Sequence, residues 1–211
     1  MKAIIIAGGT PPSKELFIQE LSEPSVLICA DRGADCAFKY NIVPDYLLGD
    51  FDSIDKKILD FFSKQKCTID YFSKDKDYTD TELALIKAKE LKVSKITFLG
   101  CTGSRLDHTL GNLGLLLKCL KNNIEAYIKD DNNTICIVNK SIQLKGKTGE
   151  NFSLLAYDTP VTGLTIEGAK YNLYNYDLNI GDGLTISNEF LECKVNINFG
   201  SGNLLIIKSM D

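Results

Sequence analysis

Through the first two thirds of the chain, short apolar runs alternate with longer stretches of helical spacing. The runs Ala3 to Ala7, Val26 to Ala30, Tyr46 to Leu48, Thr68 to Phe72, Ile96 to Leu99 and Glu125 to Ile128 read as strands. Amphipathic segments near 14–21, 34–40, 55–64, 79–92 and 106–121 separate them. Such alternation is the rhythm of a parallel sheet with helices on both faces, so the sequence predicts an α/β, Rossmann-like domain. After about Asn139 the helical period disappears. Inside/outside alternation replaces it at Ile142/Leu144, Leu184/Ile186 and Val195/Ile197/Phe199, with Gly and Asn at the breaks. That pattern predicts a small antiparallel β-sandwich, with residues 1–139 and 140–211 as the two domains. No Gly/Ser-rich linker, internal repeat or low-complexity tract interrupts the chain.

Composition narrows the partners. With 211 residues and 44% hydrophobic content, the chain can bury a core as one large domain or two small ones. Its net charge of −4 is spread out, without the basic block of a nucleic-acid groove or a polybasic membrane segment, so neither partner is expected. The opening MKAIIIAGGTPPS has an apolar run too short for a signal-peptide core, and no window approaches the roughly 18 apolar residues of a membrane span. A cytoplasmic location is therefore expected. Seven cysteines form no CxxC pair and several sit in apolar runs such as VLICA, which reads as buried reduced thiols. A single histidine argues against a zinc site.

The polar motifs gather at one end of the predicted strands. GGTPPS (8–13) follows the first, DRGAD (31–35) the second, GDFDS (49–53) the third, SKDKDYTD (73–80) the fourth and GCTGSRLDH (100–108) the fifth. Ligands of open α/β sheets bind outside the carboxyl ends of the strands, so five loops would face one cleft. Asp and Gly are also ordinary turn and cap residues. The opposite strand ends, however, carry mainly KVSK, NNI and SEPS, and this asymmetry favours a site.

Within these loops, Asp50 and Asp52 stand two apart. On extended backbone both carboxylates would point to one side, attached roughly 6.6 Å apart, which suits a shared magnesium ion. Thr79-x-x-Glu82 predicts a capping box with Asp80 on the first helical turn. Asp80 could simply complement the helix dipole. The preferred reading is that Asp77 and Asp80 complete the cation site, since four acids gathered without a cation would repel one another. Arg105 suits a phosphate clamp or, equally, a salt bridge to a neighbouring aspartate. His108, beside Asp107 at a helix start, reads as a packed hydrogen-bonding residue. Gly8 and Gly9 resemble half a phosphate loop, but neither GxGxxG nor a P-loop motif is present. The residues alone thus point to a magnesium-bound phosphate site spread over the five strand-end loops.

Taken together, ADRGAD, GDFDS, KDxDxTD, GxxGSRxDHxLxN and the later GLxxxGxxYxLxN resemble the thiamin pyrophosphokinase family, in order and over nearly the whole chain. The resemblance implies transfer of the pyrophosphoryl group of ATP to the hydroxyethyl oxygen of thiamin, with release of AMP. It further implies a homodimer with active sites at the subunit interface, an ATP-binding α/β domain and a β domain that helps to hold thiamin. Magnesium would lie on Asp50, Asp52 and Asp80, with Arg105 and Asp107 contacting phosphates and ligand. Asp31, Arg32, Asp77 and Thr79 would line the nucleotide side. In LTISNEF (184–190), Leu184 and Ile186 would face the core, leaving Thr185, Ser187 and Asn188 to hydrogen-bond the aminopyrimidine. The chain has no Trp, so Tyr171 or Phe190 would have to stack on that ring. Asp80 or Asp107 would take the hydroxyl proton.

Three alternatives stay open on the residues alone. One is a related pyrophosphokinase acting on another alcohol such as 6-hydroxymethylpterin. Another is a metal-dependent glycosyltransferase using Asp50 and Asp52, which would release a nucleoside diphosphate rather than AMP. The third is a non-catalytic thiamin or nucleotide sensor.

Overall fold

The computed structural model describes residues 1–73 and 77–210; Lys74, Asp75 and Lys76 of the fourth loop lie outside them. The chain divides into two compact units, Met1–Asp131 and Asn132–Asp211.

In the first unit the strands are β1 (Lys2–Ile6), β2 (Ser25–Ala30), β3 (Tyr46–Gly49), β4 (Thr68–Tyr71), β5 (Lys95–Leu99) and β6 (Glu125–Lys129). Between them run α1 (Lys14–Leu21), α2 (Gly33–Lys39), α3 (Lys56–Phe62), α4 (Asp80–Glu90) and α5 (Leu106–Lys121). All six strands are parallel, in the order β6-β5-β1-β2-β3-β4. β1 lies mid-sheet because its side chains Ala3, Ile4, Ile5 and Ile6 are apolar on both faces, and all four are fully buried. Ile4 and Ile6 pack with Leu27, Cys29 and Leu47 against Phe17 of α1, Ala34 and Ala37 of α2 and Phe62 of α3. Ala3, Ile5, Ile28 and Leu48 point the other way along the pleat, to the face where α4 rests on β1, β2 and β3. Helices therefore cover both faces.

At the end of α1, buried Glu20 accepts hydrogen bonds from Lys2 (2.9 Å), Lys129 (2.5 Å) and the Thr97 hydroxyl (3.0 Å). One carboxylate thus ties α1 to β1, β5 and β6. Strand order reverses between β1 and β5, which makes their carboxyl ends the switch point of the sheet.

The second unit contains β7 (Asn133–Val138), β8 (Ile142–Lys145), β9 (Asn151–Ala156), β10 (Val161–Glu167), β11 (Leu173–Leu178), β12 (Asn188–Glu189), β13 (Lys194–Asn198) and β14 (Leu204–Ser209). They pair antiparallel in two sets, β12-β9-β14-β7 and β11-β10-β13-β8. Phe152, Leu154, Leu204 and Ile206 from one set meet Leu164, Ile166, Val195 and Ile197 from the other in a single core. This is the expected β-sandwich.

Two expectations are corrected. The break falls between Asp131 and Asn132 rather than after residue 139, because β7 pairs along its whole length with β14, from Asn133 opposite Ser209 to Val138 opposite Leu204. The Leu184/Ile186 alternation also fails. Leu184 is 62% and Ile186 51% exposed, while Thr185 is 3% exposed. Residues 184–187 form a turn: the Ile186 N–H donates to the Gly183 carbonyl, and Ser187 has a φ of 58°. A period of two holds only on extended backbone. Among the described residues, no helix is long and apolar enough to cross a membrane.

Candidate active site

At the switch point a cleft of about 690 Å³ opens between the loops that follow β1, β2 and β5 and the first turns of α4 and α5. The loops after β1 and β5 are zipped together, Gly9 N–H to Gly100 O and Thr10 N–H to Thr102 O, both at 2.8 Å. A Cβ on Gly9 would stand only 2.4 Å from the Thr102 carbonyl oxygen, so this approach requires glycine. The amides of Gly9 and Thr10 are thus committed to carbonyls and serve loop closure, while Gly8 lines the cleft.

Asp31 lies within reach of the charges of Asp80 and Asp50. Its backbone is left-handed (φ 43°), a conformation aspartate tolerates better than most residues. Oδ2 accepts a 2.6 Å hydrogen bond from the Ser53 hydroxyl, while Oδ1 is buried with no hydrogen-bond donor among the described residues. Burial raises the pKa of this carboxyl, and the negative charges of Asp80 and Asp50 add to the rise against the Ser53 hydroxyl and Arg32 N–H. An acceptor left bare among like charges is costly unless something positive or donating meets it.

The GDFDS loop departs from its expected shape. Phe51 has a φ of 58°, so Asp50 and Asp52 do not lie on extended backbone and are not held side by side by strand geometry. Instead the Asp52 N–H donates to Asp50 Oδ1 at 3.1 Å. Asp50 is half-buried and Asp52 exposed. For a bulky aromatic, the left-handed region costs on the order of 1–3 kcal/mol.

The capping box on α4 is present: Thr79 Oγ1 accepts from Glu82 N–H (3.2 Å) and Glu82 Oε2 from Thr79 N–H (3.1 Å). It sets Thr79 and Asp80 on the cleft wall. Across the cleft, Arg105 precedes α5 and also lines it. Its guanidinium forks onto Asp107, with Nη2 to Oδ2 at 2.6 Å and Nε to Oδ1 at 3.3 Å. Hydrogen bonding from Arg105 holds the Asp107 carboxyl below its ordinary range. The salt-bridge alternative for Arg105 is thus realised, and Asp107 lies outside the cleft lining.

Asp31, Arg32, Thr79, Asp80 and Arg105 therefore share one cleft, and Asp50 is near enough to act on Asp31 through its charge. Asp52, Asp77 and Asp107 are exposed and do not line it. Sequence reasoning missed Ser53, whose only signal was its place at the end of GDFDS. It also misjudged His108, which is exposed and lines the cleft with Thr109 rather than being packed away. Cys101, also at the cleft, has its thiol pushed up to about 12 by burial and is inert as a nucleophile.

The expected thiamin contacts lie in the second unit. Thr185 is buried, with its hydroxyl donating to the Leu154 carbonyl at 2.6 Å. Asn188 is buried and clasps the Tyr171 backbone, accepting from its N–H (3.1 Å) and donating to its carbonyl (2.8 Å). These side chains are occupied in holding the turn, which corrects their reading as free hydrogen-bonding groups. Ser187 and the Tyr171 ring remain exposed, while Phe190 is fully buried against Phe152 and presents no stacking face.

A doubly covered parallel sheet with an acidic cleft at its switch point, joined to an antiparallel sandwich, defines a two-unit α/β protein. Family comparison narrows this class. Residues 17–128 match the thiamin pyrophosphokinase catalytic domain and residues 137–204 the thiamin pyrophosphokinase vitamin B1 binding domain. The thiamine pyrophosphokinase of Bacillus subtilis is 33% identical over 218 residues, covering 100% of both chains. A crystal structure of thiamine pyrophosphokinase from that organism superposes with a TM-score of 0.91 at 30% identity over 100% of both chains. One from Geobacillus thermodenitrificans gives 0.87 at 28% identity, covering 100% of this chain and 98% of that one. The chain belongs to the thiamin pyrophosphokinase family. The hydroxymethylpterin alternative finds no support among these matches.

Proposed function

We propose that this chain transfers the pyrophosphoryl group of ATP to the hydroxyethyl oxygen of thiamin, giving thiamin diphosphate and AMP. The observation that carries the reading beyond family membership is the bare, buried Asp31 Oδ1 among the charges of Asp80 and Asp50. An acidic pocket of this kind repels a polyphosphate unless a divalent cation bridges the two.

The donor set fits magnesium. Among the described residues no three His, Cys, Asp or Glu side chains form a ready-made ion cage. Magnesium needs none, because it commonly takes one or two carboxylates and fills its shell with water and substrate phosphates. Asp50, Asp52 and Asp80 are assigned to it, with Asp31 beside them. When bound, the ion neutralises phosphate charge and orients the oxygens for in-line displacement.

The chain's own groups supply position. Arg105 uses two of its five donors on Asp107 and can offer the others to phosphate oxygens, so Asp107 holds the clamp rather than acting as a base. Arg32 and Thr79 are assigned to the nucleotide, and Asp77 to the loop edge beside them. Tyr171 and Ser187 are the exposed candidates for thiamin, with Thr185 and Asn188 supporting them. Exposed Leu106 (71%) and Leu110 (65%) on α5, and Leu184, Ile186 and Tyr171 in the sandwich, support a homodimer. The cysteines are free thiols, which suits a reducing cytoplasm.

The test is incubation with magnesium, ATP and thiamin, followed by chromatography. AMP and thiamin diphosphate in equal amounts are expected; ADP in place of AMP would overturn the reading.

A further inference from the structure

The acidic loop after β3 is shaped by a residue that carries no charge. Phe51 lies between Asp50 and Asp52, in a left-handed conformation that glycine or asparagine adopts far more readily. Something other than local preference must hold it there. The residue is 7% exposed and packs in the core with Ile54 and Phe62. It meets the edge of Tyr71 with centroids 4.9 Å apart and planes at 89°. It also runs close beside Gly49, where an added Cβ would stand 3.3 Å from Phe51 Cε1. The Phe72 N–H donates to the Gly49 carbonyl at 3.0 Å, so the strand end that carries Tyr71 is fastened to the same loop.

Polar groups at the cleft follow from this anchoring. With Phe51 turned inward, Asp52 N–H reaches back to Asp50 Oδ1, and two residues on Ser53 places its hydroxyl on Asp31 Oδ2. We propose that Phe51 is a positioning residue: burial of its ring in the core, with its contact to Tyr71, fixes the left-handed turn and thereby sets where Ser53 stands in the cleft and where Asp50 and Asp52 stand beside it. The proposal rests on the reading of Asp50 and Asp52 as groups that serve a magnesium-bound polyphosphate.

The measurement is calorimetric binding of α,β-methylene-ATP, titrated at a series of magnesium concentrations, alongside kcat and the KM values for ATP and thiamin. Phe51→Ala and Phe51→Gly should raise the half-saturating magnesium concentration about tenfold or more, as loss of a support behind metal-binding carboxylates does. Their kcat should fall about 100-fold, the scale of a small misplacement of reacting groups. Phe51→Leu, which keeps a buried side chain, should recover most of both. Tyr71→Ala, at a side chain outside the cleft lining, should shift the magnesium requirement in the same direction by a smaller factor.

A purely structural Phe51 would reduce the folded fraction and leave the half-saturating magnesium concentration of the folded protein unchanged, and that result would overturn the proposal. Should Phe51→Ala not fold, Tyr71→Ala decides it by the same readout, an unchanged magnesium dependence in that variant counting against it. Failure of the native chain to form AMP would reject the proposed reaction. The binding titration would still test the positioning.

Discussion

Glu20 is a carboxylate the cleft does not use. Burial alone would raise its pKa, but hydrogen bonds from Lys129, Lys2 and Thr97 outweigh burial and hold it below the ordinary 4.5. A group whose pKa is depressed on folding contributes stability that is fully present above the unfolded value and is lost as the pH falls through the folded one. Unfolding in urea should therefore show stability constant near pH 7 and declining as the pH drops below about 4.5. Glu20→Gln should lose about 3 kcal/mol at pH 7 and show a flatter acid decline; the low end for a broken buried pair applies because Lys129 keeps partial access to water. Local rules made some residues readable and others not. Thr79 and Glu82 could be paired from spacing alone, since a capping box is closed within one turn. The left-handed backbone of Phe51 could not, because phenylalanine favours strands and only tertiary burial of its ring reverses that preference.

At the scale of elements, the strand and helix rhythm of the first unit was visible because each element has the period its own burial demands. What misled was a short alternation taken as extended chain. Leu184 to Ser187 is a turn fastened by bonds from Thr185 to Leu154 and from Ser187 N–H to the Ser153 hydroxyl, partners some thirty residues distant that no local pattern announces. α4 offers the cleaner test. Thr79→Ala removes the cap and should cost about 1 kcal/mol, a fall of about 2–4 °C in melting temperature. Thr79→Ser should restore both the melting temperature and, if Thr79 serves the nucleotide, the KM for ATP.

For the molecule as a whole, the exposed leucines of α5 and the exposed apolar set of the sandwich unit predict self-association. Stable pairs bury about 800 Å² per partner, more than isolated surface leucines provide. Sedimentation at micromolar concentration should give twice the chain mass for the native sequence, and the chain mass for Leu106→Asp with Leu110→Asp. A native monomer would remove the dimer from the scheme. The cleft's location at the β1/β5 seam bears on how the protein is made. Ile4 pairs with Thr97, so the middle of the sheet joins residues more than ninety positions apart. A growing chain on the ribosome must carry β1 with one edge bare until Lys95–Leu99 has emerged, and such distant parallel pairing is slow. The loops that zip across that seam close in the same event. The capacity to hold nucleotide should consequently arrive only with completion of the sheet, ahead of the sandwich unit that carries the thiamin candidates.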